Sequence, residues 1–221
     1  MQIAIPIYDG FTALDAIGPY DVLQQMPEAS VVFCAPEERV YRTESGALGV
    51  CADSSFDQVR APEVVVVPGG LGNRRWLDGS NPYTDWLAAV HETTRFTTSV
   101  CTGSLLLAAA GLLEGTDATT HWAAREALAG LGANPVTERV VQRGRIITAA
   151  GVSSGIDMAL RLVELLHGEI AAQAVQLAIE YEPDPPHDTG SAEKAPAELV
   201  SFVRTMMQQQ DSKVAERLGV G

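Results

Sequence analysis

Apolar runs separated by turn-forming residues dominate the first half of the chain. VVVV at 64–67 stops at PGG, and TTSV at 97–100 passes through Cys101 into GSLLLAAAGLL at 103–113. An apolar run without alternation is typical of a parallel strand covered on both faces, whereas the longer run of Leu and Ala favours a helix. Strand and helix therefore alternate, which predicts an α/β domain whose parallel sheet lies between layers of helices.

The same patterns give the other elements, and we expect residues 1–221 to form one domain. Residues 182–197 are rich in proline and polar side chains, which predicts an ordered loop or arm. The predicted strands lie at 2–8, 30–35, 64–67, 97–100, 139–141 and 146–149, the last two pairing across a turn at 142–144, with one or two short strands or a hairpin within 40–51. The first predicted helix starts at Pro19, with Gly18 as its cap. Another starts at Thr120, with Thr119 or Thr120 as its cap. The remaining predicted helices lie at 82–93, 103–113, 156–166, 170–181 and 198–218.

Charge and cysteine content exclude several classes of protein. Fifteen basic against 28 acidic residues give a net charge of -13. An acidic chain without a cluster of Lys and Arg argues against a nucleic-acid or anionic-membrane partner. Three cysteines without a CxxC pair predict neither a disulfide framework nor a zinc site. The sequence MQIAIPIYDG is not a signal peptide, and no apolar stretch is long enough for a membrane helix. We expect a soluble protein of the cytoplasm.

Cys101 is the strongest candidate for chemistry. A strand that enters a helix through one residue must turn sharply, and Gly103 removes a Cβ that would crowd this turn. The thiol would then stand at a helix N-terminus, where negative charge is favoured, so we expect a lowered pKa and a nucleophilic cysteine. The alternative is a small buried hydrophobic side chain, which is the role of most free cysteines.

Ligands of open parallel sheets bind at the carboxyl ends of the strands. Four loops reach that edge in the predicted fold, at 9–18, 68–72, 101–103 and 150–154. Backbone N–H groups after the 64–67 strand could stabilise a charged intermediate as an oxyanion hole does, although the glycines there also suit the plain end of a strand. The candidate residues for binding substrate or intermediate are Gly69, Gly70, Leu71, Gly151 and Val152.

Asp15 is the most suggestive carboxyl group, because it lies in the apolar run ALDAI and too early to cap a helix that starts at Pro19. Beside a thiolate it would have a raised pKa, would share one proton with Cys101 and could act as a general acid and base. It could equally be a buried carboxyl group that binds loop amides. Thr102 could orient the sulfur or a water, or cap the helix locally. The histidines lack metal-binding spacing, so we predict no metal.

The motifs SVCTGS, LDAIGP and PGG after a buried strand together resemble the ThiJ/PfpI superfamily. SVCTGSLLLAAAGLL, ATTHWA, ERVV, GIDMAL and VQLAIEYEPDPP resemble the bacterial isocyanide hydratases within it, over residues 3 to 197. The resemblance implies a flavodoxin-like three-layer α/β/α sandwich with a mostly parallel sheet and a cysteine nucleophile elbow.

The resemblance also implies an activity, namely hydration of small organic isocyanides, R–NC, to N-substituted formamides. Cys101 would attack the isocyanide carbon to give a covalent thioimidate, Asp15 would be the general acid and base, and Thr102 would be a further catalytic residue. The family uses no cofactor and forms homodimers, so we expect both properties here.

Two departures from the superfamily bear on this expectation. Protease-like members carry His where this chain has Thr102, and glyoxalase, deglycase or chaperone members carry Glu where it has Asp15. Two alternatives stay open. The chain also resembles the sensory half of AraC-type transcription regulators, although we expect no DNA binding because no basic recognition helix follows. A redox-responsive or aldehyde-handling protein would need only the thiol of Cys101.

Overall fold

The computed structural model describes residues 1–219. Its strands are β1 (Gln2–Pro6), β2 (Ser30–Ala35), β3 (Arg39–Arg42), β4 (Gly49–Ala52), β5 (Ser54–Ser55), β6 (Val64–Val67), β7 (Phe96–Val100), β8 (Asp117–Ala118), β9 (Asn134–Pro135), β10 (Val140–Arg143) and β11 (Ile146–Ala149). Its α-helices are α1 (Ala13–Leu23), α2 (Pro82–His91), α3 (Gly103–Ala109), α4 (Arg125–Gly130), α5 (Ser154–His167), α6 (Glu169–Ala178) and α7 (Ala197–Leu218).

Seven strands form the central sheet in the order β10-β11-β7-β6-β1-β2-β5. All neighbours are parallel except β10 and β11. The predicted α/β architecture is therefore confirmed, with helices flanking a mostly parallel sheet. The strand order reverses between β1 and β6, and this switch point is where open α/β sheets bind their ligands. The loops that follow β1, β6 and β7 meet there and build the candidate site.

Helix α1 begins at Ala13, with Thr12 at its N-cap, and it continues through Pro19. The prediction that the helix starts at Pro19 with Gly18 as its cap was wrong. Pro19 has no N–H to donate to the carbonyl of Asp15, a defect that normally breaks a helix. Close packing on α5 holds the helix through this point, since a Cβ on Gly155 would come within 3.2 Å of the Pro19 ring. The correction places Asp15 in the first turn of α1.

The segment after the elbow also differs from the prediction. Helix α3 ends at Ala109 rather than residue 113, because the chain turns at Gly111 with φ of 77°. The helix predicted from Thr120 is a short 3-10 turn, Trp122–Ala124, followed by α4. Neither threonine caps it. The cap is His121, whose Nδ1 accepts the N–H of Ala123.

The polar segment within 40–51 forms the hairpin of β3 and β4, one of the two predicted arrangements. Strands β10 and β11 pair as predicted, but β10 runs to Arg143, two residues further than expected, so that the turn consists of Gly144, with φ of 58°, and Arg145. The two-residue strands β5, β8 and β9 were not predicted, because segments this short carry no periodic pattern. None of the helices in residues 1–219 is both long and apolar enough to cross a bilayer.

Candidate active site

Cys101 stands at a sharp elbow between β7 and α3. Its φ is 56°, in the left-handed region that non-glycine residues rarely adopt. Its N–H is held by the carbonyl groups of Ala149 and Ala150 at 3.1 and 2.8 Å. A Cβ on Gly103 would collide with the carbonyl oxygen of Val67, so the sequence-based argument for glycine at this position is confirmed. The strained turn holds the thiol at the carboxyl end of the sheet.

Asp15 lies against this thiol and is fully buried. Its Oδ2 accepts the N–H of Gly69 at 2.9 Å. Its Oδ1 is buried with no N–H or O–H partner among the described residues. Burial raises the pKa of Asp15 to about 8, the Gly69 amide and the Cys101 thiol oppose this rise as hydrogen-bond donors, and the charge of Glu44 adds to it. The carboxyl group therefore keeps its proton at neutral pH.

The expectation of a lowered pKa for the Cys101 thiol was wrong. The side chain is only 6% exposed. Burial raises its pKa well above the usual range, and the nearby charge of Asp15 adds to the rise. The amides of Thr102 and Val152 lower the pKa but do not offset burial. Loss of water costs a thiolate more than these donors return, so thiol and carboxyl hold their protons as a coupled pair.

Three successive amides after β6 each donate to one side chain. Gly69 donates to Asp15, Gly70 donates to Thr102 Oγ1 at 2.9 Å, and Leu71 donates to Glu44 Oε1 at 2.9 Å. From the sequence, Gly69 and Gly70 could either donate to a charged intermediate or simply end the strand. In the structure these amides are already engaged, and they position the side chains around the thiol.

Gly70 is required by geometry. Its φ is 131°, and a Cβ there would collide with the backbone of residues 10–12. A second hydrogen bond joins the elbow to the segment that follows β6, because the carbonyl oxygen of Thr102 accepts from Asn73 Nδ2 at 2.8 Å. The remaining donors near the sulfur are the backbone N–H groups of Thr102 and Val152. Val152 is thus the predicted binding residue whose amide faces the nucleophile.

Glu44 belongs to the site although the sequence analysis did not identify it. It follows β3 in a polar turn, where a glutamate has no distinguishing signal. The fold places it at the pocket, where it receives hydrogen bonds from the Leu71 amide and the Thr12 hydroxyl. Burial raises its pKa, and its charge raises the pKa values of both Asp15 and Cys101.

A cavity of about 320 Å³ opens in front of the thiol. Gly70 and Leu71 line it, as does Val152. Part of its wall comes from helix α7 of the same chain, through Met207, Gln210, Asp211 and Val214. The remaining lining residues that matter here are Cys101, Thr102, Leu105 and Glu44.

Gly151 lines a neighbouring cavity instead, next to His121. A Cβ on Gly151 would come within 2.9 Å of the His121 ring. His121 borders both cavities, and burial together with the charge of Arg125 lowers its pKa, which keeps the imidazole neutral. No three metal-ligating side chains among residues 1–219 are placed to hold a metal ion together.

A sequence model of the DJ-1/PfpI family matches residues 1–165, which include all of β1 to β11 and the elbow. The chain belongs to the DJ-1/PfpI family. Residues after 165, including α6 and α7, lie outside the matched part.

Individual DJ-1/PfpI relatives extend this finding. The chain is 41% identical over 204 residues, 92% of its length, to an isonitrile hydratase of Pseudomonas putida, of which it covers 89%. A ThiJ/PfpI family protein of Pseudomonas syringae has a similar structure, with a TM-score of 0.89, 34% identity, and coverage of 99% of this chain and 90% of that one. The chain is also 32% identical over 145 residues, 62% of its length, to the transcriptional regulator GbdR of Pseudomonas aeruginosa, of which it spans 38%.

Proposed function

We propose that this protein hydrates small organic isocyanides to N-substituted formamides, with Cys101 as the nucleophile. The observation that carries the proposal is the buried pair of Cys101 and Asp15, in a chain 41% identical to an isonitrile hydratase. An isocyanide carbon is both an electrophile and a proton acceptor. A thiol and a carboxyl group side by side supply what that carbon needs.

In the first step the sulfur of Cys101 adds to the terminal carbon of R–NC. The pair must first lose one of its two protons, so that one proton is shared between sulfur and carboxyl group. As the C–S bond forms, Asp15 delivers the shared proton to the same carbon, and the C–N bond order falls from three to two. The product is a thioimidate, Cys101–S–CH=N–R, beside an ionised Asp15.

In the second step Asp15 takes a proton from water, and the hydroxide adds to the thioimidate carbon. The nitrogen gains the second proton of that water as the C–S bond breaks. The formamide R–NH–CHO leaves, and the pair is restored with one proton. Splitting the hydration through a covalent intermediate replaces one difficult addition with two easier ones.

Thr102 fits a positioning role in this scheme. Its Oγ1 accepts the N–H of Gly70, so its own hydroxyl proton is free to be donated. The mainly apolar lining of the cavity, including Leu105, Val152 and Val214, suits the alkyl or aryl group of an isocyanide. An isocyanide carries no net charge, so its binding requires no strong anion or cation site.

A small-molecule sensor is the second candidate, because part of the chain is similar to the regulator GbdR. It predicts saturable binding of a ligand without turnover. Redox chemistry would need the same Cys101 thiolate as hydration does, so the raised pKa of Cys101 does not separate the two, and the similarity to an isonitrile hydratase favours hydration.

The chain is proposed to act as a homodimer in the cytoplasm. Helix α6 exposes apolar side chains that a partner copy would cover, with Ile170 83% and Leu177 81% exposed. The three free cysteines suit a reducing compartment. Light scattering on the purified protein gives the mass, and a monomer at micromolar concentration would contradict the dimer.

The experiment that tests the activity follows formamide formation from an alkyl and an aryl isocyanide. The parent and Cys51→Ala should both produce the formamide, since Cys51 is exposed and does not line the cavity. Cys101→Ala should produce none. A folded parent that binds isocyanides without producing formamide would favour the sensor.

A further inference from the structure

The inner face of α7 closes the cavity over Cys101. Residues at helical spacing on this face are partly or fully buried, and they are Val203, Met207, Asp211, Val214 and Leu218. A stripe at intervals of three to four residues marks the side of a helix that packs on the protein. Met207 and Val214 are the two apolar members that line the cavity.

Three contacts fix this helix over the site. Asp211 forms an ion pair with Arg74 at 3.2 Å, which ties α7 to the 3-10 helix Leu71–Trp76. Near the end of α7, Leu218 lies against Gly10 and the guanidinium group of Arg217 lies against Gly46. The helix therefore has a defined position above the loop that contains Gly10, just before α1, and above the turn after β3 that carries Glu44.

The geometry also determines which part of a substrate contacts the α7 wall of the cavity, which consists of Met207 and Val214. The reacting carbon of an isocyanide must reach the sulfur at the elbow, and R–N≡C is linear, so the substituent points away from the elbow. Cys101 and Thr102 line the cavity from the sheet side, and Met207 and Val214 line it from α7. The substituent therefore extends into the cavity, away from the elbow, where Met207 and Val214 form the apolar part of the lining that α7 supplies.

From this arrangement we propose that Met207 and Val214 are specificity-determining residues, which contact the apolar substituent of the substrate and limit its size. The inference rests on the proposed isocyanide hydration. The segment that carries it lies outside residues 1–165, the part matched by the family model.

The test compares Met207→Ala and Val214→Ala with Met206→Ala. Met206 is the matched control, because it neighbours Met207 on the same helix but is 53% exposed and does not line the cavity. The kcat/KM for 1-naphthyl isocyanide is divided by that for isopropyl isocyanide. We expect this ratio to rise roughly tenfold in each wall variant, the size of effect that changes of a methylene or more in an apolar pocket produce, and to stay unchanged in Met206→Ala.

A second readout does not depend on hydration. Cys101 is alkylated with iodoacetamide or with N-phenyl iodoacetamide, and the rates are measured on the peptide that contains it. The bulky reagent should gain in relative rate in the two wall variants only. If this occurs but no isocyanide is hydrated, the proposed function fails and the wall stands. If hydration is normal and neither ratio changes in folded wall variants, the inference is overturned.

Discussion

Gly69 donates its backbone N–H to Oδ2 of Asp15 at 2.9 Å, although the two residues are 54 positions apart in the sequence. This bond joins the loop after β6 to the first turn of α1 and leaves the other carboxyl oxygen for chemistry. The same carboxyl group adjoins the thiol of Cys101. The protons of the Asp15–Cys101 pair therefore depend on how the loop after β6, the first turn of α1 and the elbow come together at the switch point of the sheet.

Asp15→Asn should abolish turnover, because an amide cannot exchange the proton, and a loss of at least about 10²-fold is expected.

The same change should affect stability in a pH-dependent way. An acid whose pKa rises from 3.8 to about 8 on folding stabilises the fold most below 3.8, and that stability is lost as pH rises toward 8.

Asn removes this pH dependence because it does not ionise. The melting temperature of Asp15→Asn minus that of the parent should therefore be larger at pH 8 than at pH 5. Thermal unfolding at the two pH values measures the difference. An equal shift at both would contradict the raised pKa of Asp15.

The pH dependence of kcat/KM should rise through about pH 8, where the pair of Asp15 and Cys101 loses the first of its two protons. Glu44→Gln removes a negative charge that raises the pKa of Asp15. The rise of kcat/KM with pH should therefore occur at lower pH in this variant than in the parent. Glutamine keeps an oxygen to accept the Leu71 amide. Glu37→Gln is the control, since the Glu37 side chain is 78% exposed, and a shift of equal size there would disprove a specific effect of Glu44.

Thr102→Val keeps the shape of the side chain but removes the oxygen that accepts the N–H of Gly70. Leaving this N–H without a partner should lower the free energy of unfolding by about 1–3 kcal/mol, and kcat should fall with it. Thr102→Ser restores the acceptor and should recover both quantities. Denaturant unfolding and formamide assays measure them, and a serine variant as impaired as the valine variant would argue against the hydroxyl.

Gly103→Ala places a Cβ against the carbonyl oxygen of Val67, in the turn that holds the nucleophile. We expect a loss of about 1–3 kcal/mol in the free energy of unfolding, as for other overpacked interiors, and slower alkylation of Cys101. Gly130→Ala is the matched control, because no atom lies within 4 Å of its Cβ and it lies in α4. Gly130 is the last residue of α4 and does not have a left-handed φ, so alanine there should stabilise the protein by about 0.4–1 kcal/mol. Equal effects of the two variants would contradict a crowded elbow.

The sequence predicts well those elements that a short run of neighbouring residues is enough to indicate. The all-valine strand β6 is buried on both faces, and the elbow follows from Cys101 and Gly103, two residues apart between a strand and a helix. The start of α1 was predicted wrongly because Pro19 is accommodated by packing on α5, a contact between residues more than 130 positions apart.

The electrostatics of the site are a tertiary property as well. The pKa of Cys101 depends on burial beneath several segments, which no helix-terminus argument can supply. Glu44 lies in a polar turn, and Met207 lies on a helix that looks like a surface helix in sequence. Both reach the site only because the hairpin of β3 and β4 and the helix α7 fold back over the elbow.

The central claim is a covalent intermediate on Cys101, and rapid acid quenching followed by mass spectrometry tests it most directly. During turnover of an isocyanide, the peptide that contains Cys101 should gain the mass of one substrate molecule, in the parent and in Cys51→Ala. Two results would contradict the account. One is formamide release by the parent without any adduct on Cys101, and the other is formamide release by Cys101→Ala at the rate of the parent.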